Sequence, residues 1–285
     1  MCKKLSIILL CLLMITGCSK DKPILYSNLG NQASQNKLTN ILNEADLPKE
    51  NIKQFFSYVN TFNQHATPLI GDFETLEREQ PDYQYFKYNS PVEISDQNDS
   101  NSLIPSFILI KNLIYTNNTG HADDSYIMFN LNLIDTIDQY SMSQEDRLKF
   151  ITTFNSISVT GIKNNEISHI NQIEKTFSDR DFSVKQNQKA SLITLWLHSS
   201  ADNRRFVSHC GVLIDSNDGL YFIEKYGCFY PYQVTKFNSR SELKTYLLTR
   251  NDLKGDENDG LPLVFENNKY LNLSLIHISE PTRRV

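Results

Sequence analysis

Apolar and polar positions along the chain fall into two regimes. In the first, apolar residues recur at helical spacing. Leu38, Ile41 and Leu42 share one face, and after Pro48, suited to a first-turn position, Ile52, Phe55, Phe56, Val59 and Phe62 share another. Residues 66–100 are aromatic and irregular, with Tyr83, Tyr85, Phe86 and Tyr88 alternating as in an extended piece, and 97–102 has the composition of a loop. The apolar run 103–115 fits a buried helix or a strand; its length and Pro105 in the first turn favour a helix, whose N-terminus leaves the loop at Ser102 with free amide donors. Ser143 and Asp146 open a further helix as a variant capping box, ahead of Leu148, Phe150, Ile151 and Phe154, and a weaker helical pattern covers about 166–177.

The second regime is β-prone. Segments 191–198, 206–214 and 220–226 are short and apolar, separated by clusters of Ser, Asp, Asn and Gly, and predict successive strands of an antiparallel sheet. Ser239 and Glu242 then cap a helix with Leu243, Tyr246 and Leu247 on one side. Helices first and sheet second predict an α+β fold, N-terminal helices packed on a C-terminal antiparallel sheet, without internal repeats.

The two ends change what has to fold. Lys3 and Lys4, the apolar stretch 5–15 and then Ile15-Thr16-Gly17-Cys18 resemble a bacterial lipobox, which makes 1–17 a cleaved signal and Cys18 the site of fatty acylation, palmitate included. Each buried methylene contributes about 0.8 kcal/mol, so several acyl chains hold a protein on the outer face of a membrane without a spanning helix. Residues 18–32 then read as a polar tether and 33–272 as a single domain. The tail 273–285 resembles the in-frame translation of a sequencing adapter and is set aside as an artefact, His277 with it.

Composition is that of a globular protein, 40% hydrophobic and 21% charged. Without the ends, the 28 basic and 33 acidic residues fall to 24 and 32, which disfavours a nucleic-acid partner. Cys210 and Cys228 are the cysteines left in the body and read as small residues rather than a disulfide. No Gly-rich phosphate loop, paired helical His, Cys-x-x-Cys or EF-hand spacing is present, so neither a metal nor a cofactor is expected.

The segment richest in chemistry is 206–214, a turn at 215–219, and 220–225. Strand alternation puts His209 on one face with Val207, Gly211 and Leu213, with Cys210 on the other, so the adjacent His209 and Cys210 are not a dyad. Gly211 is expected to leave open space beside the imidazole. If Ile214 pairs with Gly219, His209 falls opposite Glu224, whose carboxylate would orient the ring.

The His-x-Gly strand at 209–211, Phe222-Ile-Glu-Lys225 and Pro231-Tyr-Gln233 resemble bacterial lipoproteins grouped as domain-of-unknown-function family 4300, a resemblance running from Tyr26-Ser-Asn-Leu29 to near Arg250. It implies a layout similar to papain-like and NlpC-type cysteine hydrolases: a cysteine at a helix N-terminus, then a strand-borne histidine and a polar third residue, for which Gln233 is a candidate. The family frame Asp-x-Asn-Cys-Arg, leading to a Phe, is met here by Asp99-Ser-Asn-Ser-Leu103 and Phe107, so Ser102 stands in the nucleophile's place and Leu103 in the arginine's. A serine needs a well-aligned base and an oxyanion hole where a thiolate needs less. The resemblance therefore implies a surface-anchored hydrolase scaffold that has lost its nucleophile and binds a peptide-like or peptidoglycan ligand.

Two other functions fit the same residues: an active amidase or peptidase with Ser102 as nucleophile, His209 as base and Glu224 as orienter, or a structural or adhesive lipoprotein without an active cleft. The residues also have plainer readings. Ser102 is a helix cap, His209 a core histidine, and Glu224 with Lys225 a solvated edge, while His65, His121, His169 and His198 are loop or surface residues.

Overall fold

A meander of four antiparallel strands organises the chain. The computed structural model describes residues 22–89, 99–117, 123–160, 165–185, 189–256 and 258–272. Its first half runs β1 (Leu25–Ser27), α1 (Gln32–Glu44), α2 (Lys49–Asn63), β2 (Ala66–Thr67), β3 (Glu74–Thr75), β4 (Lys87–Tyr88), α3 (Leu103–Ile110), β5 (Ile114–Tyr115), α4 (Met128–Thr136), α5 (Gln144–Phe154) and β6 (Ile157–Ser158). The second half runs α6 (Glu166–Asp179), β7 (Ser183–Val184), β8 (Ala190–Ser199), β9 (Arg204–Ser216), β10 (Gly219–Lys225), β11 (Tyr232–Phe237), α7 (Arg240–Thr249), β12 (Leu263–Glu266) and β13 (Lys269–Tyr270). The signal 1–17, Cys18 and the tail 273–285 lie outside the described residues, as do His121 and the first two residues of the loop at 97–102.

Local chemistry starts the helices where the sequence pointed. Ser143 accepts the Asp146 N–H at 3.1 Å and Ser239 that of Glu242 at 3.2 Å, each satisfying an amide with no partner inside its helix. The helix α3 is buried at all eight positions, which explains its unbroken apolar sequence. It is wedged between α2 and the strands β8, β9 and β10.

The main sheet has the order β13-β12-β8-β9-β10-β11-β1-β3, with β6 pairing to β9. This α+β sheet is open, antiparallel and fed from both ends of the chain, which corrects the expected segregation of N-terminal helices from a C-terminal, papain-like sheet. The strands β1 and β3 are too short to carry a readable alternation; Leu25–Ser27 is nonetheless a strand, paired to Val234, Thr235 and Lys236. Part of the segment read as a tether thus belongs to the fold. Six helices cover one face of the sheet with a large apolar cluster, and α7 covers the other with a smaller one containing Leu195, Leu213, Phe222 and Phe237.

Register decides what shares a face with His209. The turn between β9 and β10 contains two residues, Asn217 and Asp218, and pairs Ser216 with Gly219 and Ile214 with Tyr221, instead of Ile214 with Gly219. The displacement is two residues, so every side chain keeps its face and Glu224 remains on that of His209, now on a diagonal. A bulge in β9 changes the phase elsewhere: Leu195 pairs with His209 but Trp196 with Val207, leaving Ser208 as the extra residue. Val207 consequently joins the large cluster with Trp196, on the face opposite to His209, contrary to strict alternation.

Gly211 opens no space beside the imidazole. A Cβ there would meet the Phe222 ring at 2.3 Å and the Ile223 carbonyl oxygen at 2.7 Å, so the ring already fills the volume that the missing side chain vacates. Gly211→Ala should therefore destabilise the fold by about 1–3 kcal/mol through overpacking, measured as a lower urea midpoint at unchanged slope.

Candidate functional site

Glu224 is the centre of a buried polar cluster on the α7 face. Its Oε2 accepts from His209 Nε2 at 2.5 Å and from Arg250 Nη1 at 2.5 Å, and its Oε1 accepts from the Tyr246 hydroxyl at 2.8 Å. The strands β9 and β10 supply His209 and Glu224, while α7 supplies Tyr246 and, just past its end, Arg250. Glu224 and Lys225 are both buried, which overturns the reading of a solvated edge.

The cluster is electrostatically closed. Burial alone would raise the Glu224 carboxyl, but the Arg250 charge and the bonds from His209 and Tyr246 bring it down to about 2. Burial and the Arg250 guanidinium lower His209, with Glu224 offsetting them in part. Near neutral pH the pair is therefore carboxylate and neutral imidazole. Nε2 carries the proton it donates to Glu224, and Nδ1 keeps its lone pair. Arg250 also binds Asp252 at 2.6 Å and the Tyr226 carbonyl at 2.9 Å, and its guanidinium lies 3.7 Å from the Tyr226 ring centroid.

Gln233 lies in the same layer. Its amide donates to Thr235 Oγ1 at 2.8 Å and to the Tyr246 hydroxyl at 2.9 Å, and stands 3.4 Å from Glu224 Oε1. Its carbonyl accepts from the Tyr83 hydroxyl at 2.6 Å. Gln233 thus supports the Glu224 side of the cluster and has no hydrogen bond to His209.

Ser102 reaches this region from the other layer. It occupies the N-cap position of α3, yet its hydroxyl caps nothing; Asn101 Oδ1 accepts the Leu103 N–H at 3.0 Å instead. Ser102 Oγ accepts the Cys210 backbone N–H at 3.0 Å, beyond the last β9–β10 pair at Val212 and Ile223, where a strand partner would otherwise sit. The hydroxyl is therefore one peptide unit from His209, at the level of the sheet, but no hydrogen bond joins the two side chains. Cys210 points into the helical layer, bonded through Sγ to the Ser102 carbonyl at 3.4 Å, and burial pushes its thiol up to about 12.

A second buried charge pair holds the approach to α3. Lys225 Nζ meets Asp99 Oδ2 at 2.8 Å and the carbonyls of Gly227 and Tyr230 at 3.1 and 2.6 Å, while Asp99 also accepts the Phe229 N–H at 2.7 Å. Sequence reasoning missed Arg250, Tyr246, Asp99 and Tyr83 as members of this region. Tyr246 and Arg250 stand four residues apart at the end of α7, but no spacing signal links that pair to Asp99, Tyr83 or Glu224, which come from other elements; the apolar setting of Glu-Lys at 224–225 is the available hint that both charges need partners. His169 and His198 are also buried, with ring centroids 4.7 Å apart, and are not surface residues.

A pocket of about 520 Å³ opens beside the cluster, lined by Tyr83 and by Tyr226 and Asp252, the partners of Arg250. Among the described residues no group of three or more His, Cys, Asp or Glu is arranged to hold a metal ion, no disulfide forms, and no helix is long and apolar enough to cross a membrane.

Residues 25–271 match the family described as Domain of unknown function (DUF4300). The chain belongs to this family. No curated protein and no solved structure matches it. The match spans β1 to the strand pair β12–β13 and takes in Asp99, Ser102, His209, Glu224, Gln233 and Arg250.

The lowered His209 and Glu224 fix the sign of the acid response. Both bind protons less readily in the folded chain than unfolded, so their contribution is full above about pH 6.5, the ordinary histidine value. It declines as acid protonates the unfolded histidine, and again from about 4.5 downward for Glu224. His169, brought to about 4 by burial and by Arg205, adds to the first step. Urea midpoints should fall from pH 6.5 to 4, and the His209 imidazole nitrogens should report the neutral Nε2–H form at pH 6. A His209 titration at or above 6.5 would contradict the cancelling effect of Arg250.

Proposed function

We propose that this chain is a lipid-anchored protein of the bacterial cell envelope, held to the outer face of the cell membrane through Cys18, whose hydrolase-like scaffold binds a peptide-like or cell-wall ligand without cutting it. The observation that carries the reading is the state of Ser102. The residue is 1% exposed and its hydroxyl takes the Cys210 N–H, while the imidazole beside it is committed through Nε2 to a carboxylate already paired with Arg250. A serine nucleophile requires its proton to pass to an aligned base at an accessible carbonyl. Here the hydroxyl behaves as a substitute for a strand partner. The retained order of helix mouth, histidine strand and polar partner supports descent from a hydrolase layout.

The test is to restore the thiol. In a Cys228→Ser background, Ser102→Cys should be alkylated by iodoacetamide faster than the equally buried Cys210, because a helix N-terminus and the Cys210 amide both favour a thiolate at position 102. A residue-102 thiol no more reactive than Cys210 removes the active-site reading. The chain with Ser102 intact should leave muropeptides uncut; hydrolysis abolished by His209→Ala would establish a serine enzyme instead. Lipid anchoring is checked separately: Cys18→Ser should move the protein from the membrane fraction to the soluble fraction and abolish labelling by a palmitate analogue.

A further inference from the structure

The pocket next to the Glu224 cluster has walls held in place by long-range bonds. Gln80 Oε1 accepts the Asn251 N–H at 3.0 Å, and Tyr83 reaches Gln233 at 2.6 Å, so segments far apart in sequence meet around a preformed space of about 520 Å³. A volume of that size suits a small ligand. Three tyrosines meet in it: Tyr83 lies 4.9 Å from Tyr226 and 5.9 Å from Tyr230, centroid to centroid, with the rings tilted so that faces and edges alternate. Around them stand Arg78, Asp82, Asn251 and Asp252.

The charges exclude the simplest ionic ligands. Asp82 is paired with Arg78 at 3.2 Å, and Asp252 shares Arg250 with Glu224, at 2.6 and 2.5 Å, so each rim charge already has an opposite charge beside it and no guanidinium is left over for an anion. One face of Tyr226 is already covered by Arg250 at 3.7 Å, which removes it as a seat for a ligand cation. Pairing does not hide these groups: Arg78, Asp82 and Asp252 remain 75%, 49% and 44% exposed at their side chains and keep free N–H groups and lone pairs. The pocket therefore offers oriented, ion-paired hydrogen-bonding edges interleaved with aromatic faces. A pyranose ring matches that pattern, with an apolar C–H face and a rim of hydroxyls that are both donors and acceptors.

We propose that this pocket is a saccharide site, taking uncharged sugar rings against Tyr230 and Tyr83 with their hydroxyls on the Asp82–Arg78 and Asp252 edges. This deepens the ligand-binding reading above and rests on it. The probe is the tetrasaccharide of N-acetylglucosamine, titrated calorimetrically into the full chain beside a stem peptide that carries no sugar. Saturable binding of the tetrasaccharide is expected, weakened at least tenfold by Tyr230→Ala and kept by Tyr230→Phe. Tyr230 is 43% exposed and holds Lys225 through its main-chain oxygen, which the substitution leaves in place. Should Tyr230→Ala fail to fold, Arg78→Ala at the exposed rim replaces it with the same expectation. Binding of the peptide alone overturns the saccharide assignment and leaves the ligand-binding reading standing. Tetrasaccharide binding indifferent to the variants overturns the location, and binding of neither probe overturns the site and that reading together.

Discussion

A carboxylate removed from water must find compensation, and Glu224 finds it in three partners at once. His209 comes from a neighbouring strand, Tyr246 from the covering helix and Arg250 from the residue where that helix ends. Removing any one partner leaves charge or a polar atom stranded in a medium that penalises it by several kcal/mol. The smaller apolar cluster under α7 supplies the area that drives packing, but it is non-directional. The carboxylate sets where the end of the helix must lie.

The central sheet separates two kinds of chemistry. Successive residues of β10 point to opposite faces, so Glu224 joins Arg250 and His209 beneath α7, whereas Lys225 joins Asp99 beneath the other helices. Ser102 enters with the Asp99 layer and touches the His209 layer only through a backbone amide. The imidazole retains a lone pair on Nδ1, as a base requires, but its carboxylate partner is shared with a permanent cation. This combination stabilises a fixed, neutral histidine better than an imidazolium formed in mid-reaction.

Much of this was readable from residue patterns, and the gaps have physical causes. Caps at Ser143 and Ser239 and the apolar spacing of 52–62 are local signals, and local structure followed them. The 103–115 run reads as one helix although the regular turns end at Ile110, because an unbroken apolar sequence carries no phase from which to read an end. The face shared by His209 and Glu224 survived an error of register because that error was even. Gly211 misled because a missing side chain looks the same in sequence whether the space is vacant or filled by a neighbour, here Phe222. Strands of two or three residues, such as β1 and β3, exist only through the edge that accepts them. Arg250 belongs with Glu224 through tertiary geometry alone.

The extra residue at Ser208 acts as a dislocation in the weave of β9. On its C-terminal side His209 aligns with Leu195 toward α7, and on its N-terminal side Val207 aligns with Trp196 toward the other helices. A strand built this way tolerates replacement at that position far better than loss. Excising one residue would restore perfect alternation and thereby turn half of the strand inside out, bringing either the imidazole into the wrong compartment or Arg205 and its neighbours out of theirs. The irregularity is what lets a single strand serve two interiors of opposite phase.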